Sequence, residues 1–165
     1  MIALKVAEVK HFMGKLLLNE VFDNFLVSDV EVYTANLFKI NGRINKAWFD
    51  EVEKEENKEK EYSEWKDLKG MIYQIIKGNK TPHSMKIVFQ LSKDNTQRVV
   101  ERVGNGFSLA DVDGLFLNIR YEKDELTLIT GTSMKVFTLN KALEHEWDQN
   151  VKQFLKHYEI AFEEV

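Results

Sequence analysis

A histidine next to a glutamate near the C-terminus is the first pair in this sequence whose types could do chemistry. His145-Glu146 would begin a zincin motif, in which two histidines four residues apart share one helical face and the glutamate between them acts as base. Position 149 is Gln, so the second ligand is missing and His145 reads as a polar residue on a solvated helix face. His157 lies twelve residues further on, about 18 Å along a helix axis at 1.5 Å per residue, too far to share an ion with it. Asp111, Asp113 and Gly114 have the spacing that opens a calcium loop, where staggered carboxylates converge on a hard cation. The third carboxylate and the distal glutamate are absent, and a turn feeding a strand at Leu115 accounts for the three residues.

Gly104-Asn105-Gly106 holds two glycines of a phosphate cradle but no third, and it follows a helix where a nucleotide fingerprint must follow a strand. It reads as a helix terminator. There is no Walker sequence and no Gly-x-Ser-x-Gly elbow. Arg98 with Arg102 and Lys152 with Lys156 are basic pairs at i, i+4, a spacing that could track a phosphate backbone. Acids flank each pair, notably Glu101 and Glu159, so solvated helix faces are the simpler reading. The remaining route to catalysis is a site assembled only by folding, from His11, His83, His145 or His157 and carboxylates distant in sequence.

Composition narrows the classes further. The chain has no cysteine, which removes disulfides, thiolate catalysis, iron–sulfur clusters and cysteine-ligated zinc. Its formal charge of -4 is concentrated: residues 50–64 hold eight acids and three lysines, a net of -5, which leaves the rest near neutral. Nucleic acid as a partner is disfavoured, because a basic face is expected there. Charged residues interrupt the apolar N-terminus every few positions, and no 18-residue apolar run occurs, so membrane insertion and export are not expected and the cytoplasm is the default. No cofactor is expected.

Three aromatics flank the acidic stretch. Trp48, Phe49 and Trp65 either close the core beneath it or, left exposed, form the rim of a partner surface.

The elements that would position these residues follow from periodicity. Val6, Val9, Met13, Leu16 and Leu17 recur at helical spacing and predict an amphipathic helix over 6–17. Alternation over 30–40 predicts a strand, Asn41-Gly42 a two-residue hairpin turn, and RINKAWF the returning strand. Residues 50–62 have one valine and no apolar period, and are expected to be a mobile charged arm. Ser63 would cap a helix through Trp65, Leu68 and Ile72 that ends near Gly78, and Pro82 would mark its exit loop. MKIVFQL predicts a strand, and a short helix bearing Val99, Val100 and Val103 should end at Gly104. GLFLNIRY, ELTLITG and KVFTL predict a three-strand antiparallel meander, and residues 141–162 a long amphipathic helix over the sheet. The expected fold is α+β, a mainly antiparallel sheet packed against N-terminal and C-terminal helices, in a single domain over 1–165.

The runs MIALKVAEVKHFM and VYTANLFKINGRINKAWF, with the helix ending LEHEWDQNVKQFL, resemble an uncharacterised family of small cytoplasmic proteins from anaerobic Gram-positive bacteria. The resemblance spans the chain. It implies a bacterial cytoplasmic setting, and it carries over no functional residue.

No motif specifies an activity. The leading expectation is a non-enzymatic interaction module, self-associating as a homodimer or binding a protein partner. The alternative is a small-molecule binding domain with an apolar pocket between the sheet and the last helix. An enzyme with a dispersed site comes third, and a nucleic-acid binder fourth.

Overall fold

In the computed structural model, which describes residues 1–165 except Asn79 and Asn105, strands from both ends of the chain join one sheet. The elements are β1 (Ala3–Val6), α1 (Val9–Leu17), β2 (Leu26–Tyr33), β3 (Leu37–Asn41), α2 (Glu51–Glu56), α3 (Trp65–Ile76), β4 (Ser84–Gln90), α4 (Lys93–Val103), β5 (Val112–Glu122), β6 (Glu125–Met134), α5 (Ala142–His157) and β7 (Phe162–Glu164). Among the described residues the strands run in the order β3-β2-β4-β5-β6-β1-β7, and every neighbouring pair is antiparallel. The architecture is α+β.

Strand alternation decides which face the helices cover. Val30 and Val32, Ile87 and Phe89, Leu117 and Ile119, Leu128, and Leu4 are buried and lie on one side, since a strand's side chains alternate. Their neighbours Lys86, Val88, Asn118, Arg120 and Ile129 face the other side, where none is fully buried. Aromatic contacts place α1, α3 and α5 over the buried face: Phe89 meets Trp65 at 5.1 Å and Phe22 at 5.8 Å, and Phe22 meets Phe12 and Phe154 at 5.4 Å each. Among the described residues no helix is long and apolar enough to cross a membrane.

Several expected boundaries move. Residues 3–6 leave the first helix to form β1, because their backbone pairs with β6 on one side and β7 on the other. The hairpin turn falls at residues 34–36 rather than at Asn41-Gly42, so β3 is the second half of the predicted strand and RINKAWF forms no strand. Gly42 instead lies where β3 and the 61–64 segment meet the start of β2: its N–H donates to the Ser28 carbonyl, and the Gly42 carbonyl accepts from Ser63 N–H. Ser63 is thus engaged through its backbone, and Glu64 takes the N-cap position of α3.

The acidic stretch is helical over Glu51–Glu56 although no residue of α2 is buried. Local hydrogen bonds account for it. Asp50 Oδ1 accepts from Glu53 N–H at 2.8 Å, Glu53 Oε1 accepts from Asp50 N–H at 3.4 Å, and Asn57 Nδ2 donates to the Glu53 carbonyl at 2.8 Å, a capping box followed by a C-terminal side-chain cap. The Glu53 backbone N–H holds the Asp50 carboxyl below its ordinary value, and the Asp50 carboxylate raises that of Glu53.

Among the described residues KVFTL forms no strand; its Lys135 N–H donates to the Asp111 carbonyl at 2.8 Å. β6 ends at Met134 and its second neighbour is β1, which leaves Val136, Phe137 and Leu139 exposed in the connection to α5. The last helix is shorter than expected, ending at His157; Glu159 then adopts a left-handed φ of 57° and the chain turns back into β7.

Candidate functional site

α4 is built with three faces of different character. Its N-cap, Ser92, accepts from Asn95 N–H at 3.3 Å, and Thr96 Oγ1 donates to the Ser92 carbonyl at 2.8 Å. Thr96, Val99 and Val100 are buried. Asn95, Arg98 and Arg102, spaced i, i+3, i+7, form a neighbouring stripe, and this stripe faces α5 across a cleft of about 280 Å³.

The cleft has an apolar floor and a polar rim. Phe25, Leu117, Trp147, Val151 and Phe154 line the floor. The Trp147 indole is fixed there by donating to the Phe116 carbonyl at 2.9 Å, and Phe154 stands edge-on to Phe25 at 5.5 Å. Asn24, Asn95, Arg98, Arg102, Asn150 and Tyr158 supply the polar groups. Arg98 Nη1 donates to Asn95 Oδ1 at 3.2 Å. Among the described residues no carboxylate lies within ion-pair distance of Arg98 or Arg102. The nearby Glu101 carboxylate accepts instead from Gln97 Nε2 at 3.0 Å.

A guanidinium presents a planar fork of donors matched to a carboxylate or phosphate. Two of them at the mouth of an aromatic-floored cleft can hold an anion while the floor takes a flat apolar group. The arginine pair was visible in the sequence as an i, i+4 basic pair. The floor was not, because its residues come from the loop after α1, from β5 and from α5. The signal that could have found the site is the stripe Asn95, Arg98, Arg102 beside a valine stripe.

The other residues singled out from the sequence go elsewhere. Trp65 is 0% exposed and donates from Nε1 to the Leu16 carbonyl at 2.8 Å, whereas Trp48 is 79% exposed. Phe49 is half-buried and stands edge-on to Trp48 at 5.7 Å. The three therefore share no surface; Trp48 and Phe49 do. The Asp111 carboxylate accepts from the Ser108 N–H and hydroxyl at 3.2 and 3.1 Å, and that of Asp113 from the Ser133 hydroxyl at 3.2 Å. Asp111 completes a local capping box, and Asp113 bonds across from β5 to β6. Asn105, the middle of the two-glycine turn, lies outside the described residues; Gly104 ends α4 with a φ of 64°. His11 is on α1, His83 precedes β4 against Tyr33, and His145 and His157 sit at opposite ends of α5. Lys152 is drawn to Glu164 at 2.7 Å, which splits the second basic pair.

One buried carboxylate escaped the sequence reading. Asp148 on α5 accepts from Thr130 Oγ1 at 2.5 Å and from the Met1 amino group at 3.2 Å. That amino group also bonds Glu144 and holds its carboxyl below the ordinary value. The arrangement ties α5 to β1 and β6.

Comparison with known proteins adds one finding. The model of a family of unknown function (DUF5721) matches residues 15–163. No curated protein and no solved structure matches the chain.

Proposed function

We propose, for a chain that belongs to DUF5721, a family of unknown function, that it is a small-molecule binding domain whose ligand sits between α4 and α5. The ligand class is a compact planar molecule carrying one carboxylate or phosphate. The observation that supports this is the pair of guanidinium groups, Arg98 and Arg102, free of carboxylate partners among the described residues at the rim of an aromatic-floored cleft. Reserving two cations from ion pairing beside apolar surface favours an anion with an apolar body over either feature alone.

The test is calorimetry of the full chain against a panel of nucleoside monophosphates and aromatic carboxylates. Each charge-assisted bond contributes about 1.5–3 kcal/mol, so Arg98→Ala or Arg102→Ala should weaken binding roughly 10- to 100-fold. Both side chains are exposed, and the unliganded variants should melt as the parent does. If no member of the panel binds the parent more tightly than the double variant, the reading is wrong.

A second reading is favoured by the protrusion formed by residues 45–60. It buries little, is held by its own caps and by Lys46 Nζ donating to the Lys58 carbonyl at 2.9 Å, and leaves Trp48 and Val52 exposed. Such a surface suits a cationic protein partner with an apolar slot. Trp48→Ala should leave stability within about 0.5 kcal/mol of the parent and abolish retention on an array of basic amphipathic peptides. Unchanged retention would remove this reading. Both readings treat residues 1–165 as one domain, supported by a sheet built from strands at both ends of the chain. They place it in the cytoplasm of an anaerobic Gram-positive bacterium, supported by the resemblance drawn from its sequence.

A further inference from the structure

The two outer strands of the sheet differ in how they are guarded. β7 has three residues, two of them glutamates, and short acidic edges resist pairing with another chain. β3 has five residues, Leu37, Phe38, Lys39, Ile40 and Asn41, with no proline. Its register with β2 is unbroken; the one bulge of that region lies between β2 and β4. Leu37, Phe38 and the adjacent Tyr33 are exposed. Its single charge, Lys39, stands 3.7 Å from Glu31 of β2.

The hydrogen-bond phase shows which backbone groups are free. Gly42 N–H donates to the Ser28 carbonyl and Thr34 N–H to the Asn36 carbonyl, at the two ends of a register that pairs Val30 with Ile40 and Val32 with Phe38. Antiparallel ladders alternate bonded and non-bonded pairs, so the even-numbered residues of β3 bond inward to β2. Leu37, Lys39 and Asn41 therefore turn N–H and C=O outward, and among the described residues these groups have no backbone partner.

We infer that β3 is a self-pairing edge, through which two copies of this chain join antiparallel, each Phe38 facing the partner's Phe38. Only registers that set outward groups against outward groups can form. Centring the pair on Lys39 brings two ammonium groups face to face, which is destabilising. Centring it on Phe38 sets Leu37 opposite the partner's Lys39, leaves each Lys39 with its own Glu31, and makes Phe38 a non-hydrogen-bonded pair, whose side chains approach most closely. The charge pattern of β3 thus disfavours the Lys39-centred register, and the exposure of Phe38 beside the half-buried Ile40 favours the Phe38-centred one, in which the two sheets continue into one. The inference does not depend on the cleft.

The absence of cysteine makes the test clean. Non-hydrogen-bonded partners sit with Cα atoms about 4.5 Å apart, within disulfide range. Under mild oxidation the F38C variant should give a disulfide-linked dimer, and K39C, offset in this register, should not. Sedimentation equilibrium should give the parent chain about twice its 19.4 kDa mass. Lys39→Pro removes an outward N–H and the exposed Lys39–Glu31 pair but no bond from β3 to β2, and should weaken the dimer at least tenfold while its circular dichroism stays that of the parent. Phe38→Lys, at a partly exposed side chain, should do the same if the proline variant misfolds. A parent that remains monomeric at its highest soluble concentration, equal cross-linking at 38 and 39, or a folded Lys39→Pro that still dimerises would each overturn the inference.

Discussion

Gly42→Ala is expected to cost at least about 3 kcal/mol, lowering the melting temperature by roughly 6–12 °C for a chain of this size. A Cβ built at position 42 stands 1.8 Å from the Val27 carbonyl oxygen and 2.6 Å from its carbon. Those atoms are backbone, so no rotamer change relieves the overlap. The chain must retreat, and the retreat strains two bonds at once, from Gly42 N–H to the Ser28 carbonyl and from Ser63 N–H to the Gly42 carbonyl. A urea titration should show the midpoint falling. Gly70→Ala gives the opposite sign: it lies within α3 with nothing within 4 Å of a new Cβ, and alanine should stabilise the helix by about 0.5–1 kcal/mol. Equal midpoints for the two variants would contradict this account of Gly42.

Trp65→Ala is expected to cost about 3–5 kcal/mol, because a fully buried indole leaves a cavity that its neighbours only partly fill. The indole packs edge-on to Phe89 and caps a carbonyl in the last turn of α1 through Nε1, one of the acceptors a helix cannot satisfy within itself. Trp65→Phe retains most of the packing and loses the hydrogen bond, so about 1–2 kcal/mol should go. Thermal denaturation of both variants beside Trp48→Ala separates the two tryptophans that flank the acidic stretch. If position 48 proves as costly as position 65, their assignment to surface and core fails.

The sequence could not distinguish these two tryptophans, since burial at position 65 is decided by β4 and α1. What alternation and helical spacing did reveal was the class of fold, with β4, β5, β6, α4 and the body of α5 close to their observed limits. The misplaced hairpin has a geometric cause. A three-residue turn pairs Tyr33 with Leu37, so even-numbered positions keep the same face on both strands and the pattern passes through the turn without a break. Asn41-Gly42 carried a strong turn signal, but its glycine serves close backbone approach rather than a hairpin. KVFTL has strand-forming residues, yet β1 occupies the place beside β6 that would have satisfied them. The capping box of α2 depends on side-chain geometry that apolar periodicity does not register. Arg98 and Arg102 stood out in the sequence only as a basic pair on a solvated helix face, and the cleft they border required the fold.

β1 has a consequence for how the chain reaches this structure. Residues 3–6 pair with β6, whose partners lie more than a hundred positions later, and with β7 beyond it. Closing so long a loop costs entropy before any contact rewards it, and folding slows as contacts become less local. During synthesis the first strand emerges long before either of its neighbours exists. It can pair only once β6 has been made, and its second side is covered only when the chain has passed through α5 and turned back into β7.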